Sequence, residues 1–258
     1  YCSTTNPMKL AVTKEALLEG LQRTQNVVSN RPTLPILTNA LLEADEEGLW
    51  ITTTDLEVGI RCRVEARVEK TGSTTLPARK LVSIIRELPS SEIILEVDSK
   101  NAASIRCGAS FFKIFGLPKE EFPAFPAFEE PKSLTIRQSE LKDGLRKTSY
   151  AISSDEARYV LNGILFSLKD NKLMLVATDG RRLALFDSDL EFPESHERDF
   201  ILPTKAVTEL QRLLNEDGEV EISSSENLVS FELNGARLVS KLVEGNYPNY
   251  RQVIPGEA

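Results

Sequence analysis

Residues 49–55 read LWITTTD and residues 173–179 read LMLVATD, so an apolar run ending in Thr-Asp recurs after 124 positions. Apolar residues match one another by chance at many shifts. A match of Gly20 with Gly144 and of Thr54-Asp55 with Thr178-Asp179 at the same shift is rarely due to chance. The chain therefore carries the same domain of roughly 120 residues twice in tandem. The same shift aligns further landmarks without a gap: Leu10 with Leu134, Val12 with Ile136, Leu17 with Leu141, Gly20 with Gly144, Leu21 with Leu145, Thr24 with Thr148, Leu37 with Leu161 and Leu41 with Leu165.

The correspondence continues to the end of each copy. Leu76-Pro77 matches Leu202-Pro203 at a shift of 126, and the FPAF of 122–125 matches the YPNY of 247–250 at a shift of 125. We therefore expect a first domain over 8–128, a linker over 129–132 and a second domain over 133–258. Residues 1–7 precede the first copy and are expected to be either a tag or a natural extension.

Each copy shows the same order of predicted elements. A short strand (9–13 and 133–137) leads into an amphipathic helix, in which Leu17 and Leu21, or Leu141 and Leu145, have helical spacing. Two hairpin-like pairs follow, at 36–43 with 49–53 and at 163–168 with 173–177. A second helix is expected after each Leu-Pro, over 78–88 and 204–214. The predicted fold class is α+β, with two helices on one face of an antiparallel sheet in each copy.

Composition is typical of a globular protein with two cores. The 258 residues are 41% hydrophobic and 27% charged. No apolar run approaches the roughly 20 residues that a membrane helix needs, and no signal-peptide pattern precedes the first copy, so we expect a cytoplasmic protein with no membrane role. The three cysteines, Cys2, Cys62 and Cys107, are widely separated, which predicts neither a disulfide framework nor a zinc site. No metal or cofactor is predicted.

Charge is unevenly distributed along the chain. The predicted helices contain eleven basic and six acidic residues, a balance of +5, so the rest of the chain must carry −13 to reach the total of −8. A basic helical face on an acidic protein is typical of a surface that touches DNA phosphates. A solvated helix face is the alternative interpretation. The basic residues are Lys14, Arg23, Arg79, Lys80, Arg86, Arg137, Lys142, Arg146, Lys147, Lys205 and Arg212.

Several motifs together resemble the bacterial DNA polymerase III beta subunit family, the sliding clamps, over nearly the whole chain after Met8. They are RPTLPIL at 31–37, PARK at 77–80, YVLNG at 159–163, VATDGRRL at 176–183, SKLV at 240–243 and YPNYR at 247–251. The resemblance implies a DNA polymerase processivity factor that encircles duplex DNA without reading its sequence. It also implies partners, namely the replicative polymerase, the clamp loader and repair proteins, all held through clamp-binding peptides.

The resemblance carries an expectation about assembly. In the family, three copies of the domain form one subunit, and two subunits join head to tail as a ring lined by twelve helices. This sequence reaches residue 258 where a third copy would begin, so we expect it to comprise the first two domains of such a subunit. The full-length form would be a homodimer. A chain of these two domains is expected to be a monomer and not to close a stable ring.

The resemblance places half of a peptide-binding pocket in the second copy. Leu161, Leu183, Pro248 and Val253 would supply apolar contacts, although core packing is an equal interpretation for the two leucines. The family often has histidine where Arg181 stands and a basic residue in place of Gln252. The nine residues carried over are Arg158, Leu161, Thr178, Gly180, Arg181, Arg182, Leu183, Pro248 and Val253.

DNA and ring contacts follow from the same resemblance. Contacts to duplex phosphates are expected from Arg31 in a proline-bracketed loop and from five helical residues, Arg79, Arg146, Lys147, Lys205 and Arg212. Lys80, Phe112 and Ile114 match the ring interface of the first domain. For Phe112 and Ile114, simple strand alternation with Phe111 and Lys113 is the competing explanation.

An enzyme is the main alternative function, and it would have to use Asp55, Asp179, Asp187 and Asp189. The single histidine, His196, lies in a polar stretch that reads as a loop, and no nucleophile elbow, phosphate loop or metal-spaced cluster is present. The sequence therefore predicts no catalytic residues. A protein-binding adaptor without a DNA role stays open.

Overall fold

The computed structural model describes residues 7–28, 34–128 and 132–255. They form two compact units. The first contains the described residues up to Pro126 together with Gly235–Arg237, and the second contains those from Ala127 to Asn234 and from Leu238 onward. Residues 129–131 of the expected linker, Arg31, Cys2 and most of the N-terminal extension lie outside the described residues, whereas Lys132, the last residue of the expected linker, begins a strand.

The first unit has two helices and nine strands within the described ranges. Its strands lie side by side in the orders β5-β1-β7-β8-β9 and β4-β3-β2-β6. In chain order the elements are β1 (Met8–Thr13), α1 (Lys14–Thr24), β2 (Asn39–Asp45), β3 (Gly48–Thr54), β4 (Val58–Val64), β5 (Arg67–Lys70), β6 (Gly72–Pro77), α2 (Ala78–Glu87), β7 (Glu92–Val97), β8 (Ala102–Cys107) and β9 (Ser110–Phe115).

The second unit repeats this arrangement. Its strands follow the orders β10-β15-β16-β17 and β13-β12-β11-β14, which match the first unit strand for strand except that β5 has no counterpart among the described residues. In chain order the elements are β10 (Lys132–Arg137), α3 (Gln138–Thr148), β11 (Gly163–Lys169), β12 (Lys172–Thr178), β13 (Leu183–Asp189), β14 (Arg198–Pro203), α4 (Thr204–Leu213), β15 (Glu219–Ser224), β16 (Leu228–Leu233) and β17 (Ala236–Lys241). The predicted α+β fold and its duplication are thus confirmed.

Local chemistry explains where the helices begin. The Thr13 side chain accepts a hydrogen bond from the Ala16 amide (3.3 Å) and so caps α1. Helices α2 and α4 begin directly after Pro77 and Pro203, because the ring fixes φ near its helical value. Leucines at helical spacing, such as Leu17 and Leu21 in α1, are buried in the core.

One predicted strand begins later than expected. The segment 36–43 was predicted as extended, but Pro35–Thr38 forms a turn of 3₁₀ helix and β2 begins only at Asn39. Pro35 starts this turn, and the Thr38 hydroxyl donates to the Pro35 carbonyl (2.8 Å). The apolar residues Ile36 and Leu37 are buried all the same, so their hydrophobicity did not distinguish a strand from a buried turn.

The core of the first unit joins both sheets to both helices. Leu10 of β1, Leu42 of β2 and Ile93 of β7 pack with Leu21 of α1 and Ile85 of α2 in one buried cluster. In the second unit, α3 packs on β12 and β13, and α4 packs on β11 and β14. Among the described residues, no helix is long and apolar enough to cross a membrane.

Candidate functional site

The turn that joins β12 to β13 is built by Thr178 and Asp179. The Thr178 hydroxyl donates to the Arg182 carbonyl (2.7 Å) and accepts from the Gly180 amide (3.1 Å). Asp179 Oδ1 accepts from the Arg181 and Arg182 amides (2.9 and 3.0 Å). Gly180 has φ +84, a left-handed conformation in which a side chain is strained. The Thr-Asp-Gly motif is therefore a tightly bonded turn.

The first copy contains the same turn with different side chains. The Thr54 hydroxyl accepts from the Leu56 amide (3.0 Å), and Asp55 Oδ1 accepts from the Val58 amide (2.8 Å). Leu56 has φ 76 where the second copy has glycine. Thr-Asp thus recurs because it bonds its own turn, and in both copies Asp55 and Asp179 serve as backbone caps.

Three arginines surround the turn of the second copy. Arg158 Nη1 donates to the Asp179 carbonyl (3.3 Å), and Arg182 Nε pairs with Asp179 Oδ2 (3.0 Å). The Arg181 and Arg182 amides, and then the Arg182 side chain, lower the pKa of Asp179 below its usual range. Arg158, Arg181 and Arg182 line one cleft of about 320 Å³ together with Asp155 and Asp179.

An apolar patch adjoins this turn. Leu183, Tyr247 and Tyr250 are partly exposed and pack on the buried residues Leu165 and Ile201. Beyond Tyr247 a larger cleft of about 1050 Å³ runs between β14 and the segment from Leu242 to Arg251, and Pro248 lines it. The apolar patch and the arginine cleft thus flank the Thr178–Leu183 turn.

The remaining predicted pocket residues differ in accessibility. Val253 is 68% exposed, so its side chain is available to a ligand. Leu161 is only 6% exposed, which agrees with the core-packing interpretation that the sequence left open. The pocket prediction did not include Tyr247 and Tyr250. Their aromatic-Pro-x-aromatic motif was the available signal, and it was used only as a landmark of the repeat.

The helices pack in pairs, α1 against α2 and α3 against α4. Arg79, Arg146 and Lys147 are exposed on them, as is Arg212, while Lys205 is partly exposed. Arg137 precedes α3 instead of lying within it, so the helices carry ten basic minus six acidic residues, or +4.

Acidic neighbours partly neutralise these cations. Asp143 pairs with both Arg146 and Lys147 (2.6 Å each), and Glu209 pairs with Arg212 (2.6 Å). Lys14 instead donates to the Leu88 carbonyl just beyond the end of α2.

The three residues assigned to the ring interface lie in different environments. Lys80 is exposed on α2, and Phe112 is exposed on β9, an edge strand of its sheet. Ile114 is 1% exposed and belongs to the core cluster. Phe111 and Phe115 lie on the opposite face of β9 and are exposed, with Arg106 over the Phe111 ring.

Comparison with protein families shows which family the chain belongs to. Residues 8–126 match the model for the DNA polymerase III beta subunit, N-terminal domain, and residues 135–249 match the model for its central domain. The chain belongs to the beta sliding clamp family. This family is non-catalytic and serves DNA replication, so the enzymatic alternative is set aside.

Individual clamps support this assignment. The beta sliding clamp of Chlamydia muridarum is 36% identical over 96% of this chain and 68% of its own length. The crystal structure of the Bacillus subtilis sliding clamp superposes with a TM-score of 0.93 at 32% identity, covering 97% of this chain and 68% of that one. A clamp from Bartonella birtlesii bound to griselimycin has a TM-score of 0.91 at 40% identity, covering 96% and 68%. The chain spans 59% of the Chlamydia trachomatis clamp.

Proposed function

We propose that this chain works as part of a DNA sliding clamp, which encircles duplex DNA and tethers the replicative polymerase, the clamp loader and repair proteins. The observation that carries the proposal is the pair of helices in each copy. The four helices together have a net charge of +4, although the net charge of the whole chain is −8. Lys and Arg on such a face contact phosphates without reading sequence. A protein that slides along DNA needs contacts of this kind, because phosphate contacts are the same at every position and favour no base sequence.

Arg79, Arg146, Lys147, Lys205 and Arg212 are the proposed helical phosphate contacts. Arg31, which lies outside the described residues, is proposed as a further contact.

Retention on closed DNA tests this function. The full-length gene product, loaded on nicked circular DNA by its clamp loader, should stay bound at moderate salt and leave when the circle is cut. Topological linkage gives this result, whereas simple charge attraction holds linear and circular DNA equally. Equal retention on both, or none on either, would favour an adaptor without a DNA role.

We also propose that the second copy supplies half of a groove for clamp-binding peptides. The exposed apolar side chains of Pro248 and Val253 would receive hydrophobic anchors beside Leu183. Arg158, Arg181 and Arg182 would donate hydrogen bonds at the rim, and Thr178 and Gly180 shape the turn between them. Leu161 is buried, so its proposed contribution to the groove is through packing.

Griselimycin is a suitable probe for this groove, since two related clamps have been solved with it bound. We expect Leu183→Asp to weaken griselimycin binding by at least tenfold in isothermal titration calorimetry, because a carboxylate would replace an apolar contact. Leu56→Asp alters the matching turn of the first copy and should leave binding unchanged. Equal loss in both variants would contradict a groove located in the second copy.

A further inference from the structure

Tyr247 makes a hydrogen bond that the groove proposal does not use. Its hydroxyl accepts from the Thr178 backbone amide at 3.0 Å, across 69 positions of sequence. Burial raises the pKa of Tyr247 to about 12, so the hydroxyl stays protonated at neutral pH. The bond therefore joins two neutral groups from two distant segments at neutral pH.

The two segments form opposite sides of the proposed groove. One side is the Thr178–Leu183 turn, which its own Thr178 and Asp179 bonds hold rigid. The other side is the segment that carries Pro248 and Val253. This segment is attached to β14 at its start, where the Val243 amide donates to the Ile201 carbonyl (3.0 Å). Tyr247 attaches it to the turn four residues later.

The first copy offers an internal comparison, because the residue in the position of Tyr247 there is Phe122, which has no hydroxyl. Its segment is held by other means. Glu43 pairs with Lys119 and also with Arg61 (3.5 Å), and the Phe125 ring lies so close that a Cβ at Gly59 would be 3.1 Å from it. Phe122 itself is buried.

None of these contacts is available in the second copy. The matching positions there hold Ser167 for Glu43, Leu185 for Arg61 and Leu183 for Gly59, so neither ion pair of Glu43 can form. In the first copy, Gly59 leaves room for the Phe125 ring. In the second copy the matching residue is Leu183, whose side chain fills that room and is partly exposed. The second copy thus replaces an ion-paired, closed arrangement with an open apolar surface and one hydroxyl-to-amide bond.

We propose that Tyr247 is a positioning residue, whose hydroxyl sets the separation between the Thr178–Leu183 turn and the Pro248–Val253 segment that the ligand requires. The inference rests on the proposed peptide groove and adds the group that organises it before the ligand arrives. Without the bond, the free protein spends part of its time with the two sides wrongly spaced. Apparent affinity then falls in proportion to the competent fraction.

Removing the hydroxyl alone isolates this effect. Tyr247→Phe keeps the ring and its packing on Leu165, and it should weaken griselimycin binding by about threefold to tenfold, the range of one hydrogen bond. Hydrogen exchange of the Thr178 amide should become faster in the free variant, because the amide loses its acceptor. Tyr159→Phe removes an exposed hydroxyl of the same copy and serves as the matched control.

The outcomes separate this inference from the groove itself. If Leu183→Asp abolishes binding while Tyr247→Phe binds like wild type and Thr178 exchanges at the wild-type rate, the groove stands and the positioning role is overturned. If the wild-type chain does not bind griselimycin, the groove proposal and this inference fail together. A loss in Tyr247→Phe that Tyr159→Phe reproduces would also overturn the role, because it would reflect general loosening.

Discussion

Two glycines at matching positions control how closely a helix approaches its sheet. A Cβ at Gly20 in α1 would lie 2.3 Å from Val64 Cγ2, and a Cβ at Gly144 in α3 would lie 2.7 Å from the Phe186 ring. Non-bonded carbon atoms do not approach each other this closely, so each helix can pack on its strand only because glycine has no side chain. This explains why glycine recurs in the middle of a helix, where it is otherwise unfavourable.

Gly144→Ala should therefore destabilise the protein. Alanine gains about 1 kcal/mol of helix propensity over glycine, but overpacking against Phe186 and Leu175 costs about 1–3 kcal/mol. We expect a lower unfolding midpoint in urea, with a net loss of up to about 2 kcal/mol. Ser83→Ala, an exposed change in α2, is the control and should have little effect. A more stable Gly144→Ala protein would show that α3 can move away from β13.

Asp179 is expected to make the proposed groove sensitive to acid. Two backbone amides lower the pKa of Asp179 from its usual 3.8, so the charged carboxylate stabilises the turn. This stabilisation is complete above pH 3.8 and is lost as the pH falls through the lower, folded value.

Griselimycin affinity should accordingly be constant from neutral pH down to the usual aspartate pKa and fall only below it. Asp179→Asn keeps an oxygen acceptor but has no charge to lose. We expect weaker binding in this variant at neutral pH and no further acid-dependent loss, measured by calorimetry across the pH series. A wild-type affinity that already falls well above pH 3.8 would point to another group.

At the scale of elements, ion pairs within the helices neutralise part of the positive charge that their basic residues carry. On α3, Asp143 pairs with both Arg146 and Lys147, and on α4 the buried carboxylate of Glu209 pairs with Arg212. Burial raises the pKa of Glu209, and Arg212 opposes this rise. Weak, partly neutralised attraction would suit the proposed function, in which this surface holds DNA without stopping its movement.

Asp143→Asn should make DNA binding tighter. The substitution frees Arg146 and Lys147 for phosphate contacts, so affinity for a short duplex should rise severalfold at low salt. The slope of log affinity against log salt should steepen by up to about one phosphate contact. Fluorescence anisotropy over a potassium chloride series measures both. Asp187→Asn on β13 makes the same charge change away from the helices, and an equal effect there would indicate net charge alone.

At the scale of the whole molecule, the edge strand β9 contains two of the three residues that are proposed to contact a neighbouring subunit. Phe112 and Phe115 are exposed on it, and Phe115 is 72% exposed. Exposed edges with large apolar residues pair readily with other strands. Ile114 faces the core, so Phe112 and Lys80 remain the proposed contacts to a neighbouring subunit.

We expect a polypeptide of these 258 residues to sediment as a monomer at micromolar concentration. If the proposed clamp closes by a head-to-tail contact, two copies of the domain would present only one of the two surfaces that this contact joins. Analytical ultracentrifugation measures this directly, with Phe112→Asp as a comparison that should sediment identically. A stable dimer in the wild type that Phe112→Asp dissociates would contradict the expectation and show that β9 pairs with a second copy.

Local patterns in the sequence were sufficient for the duplication, the four helices and the hairpins. Leucine spacing, proline at helix starts and Thr-Asp at one turn act over a few residues, so they read the same way in both copies. The strand predicted at 36–43 was wrong at its beginning, because burial of Ile36 and Leu37 is compatible with both a strand and a 3₁₀ turn.

The sequence by itself determined the repeated fold and the family, because residue spacing specifies secondary structure and motifs identify relatives. Only the tertiary structure decided which side chains are available. It buried Leu161 and Ile114, paired Asp143 with two cations of α3, and brought the Tyr247 hydroxyl to Thr178. Burial and long-range hydrogen bonds depend on neighbours from distant parts of the chain, and residue spacing carries no record of those neighbours.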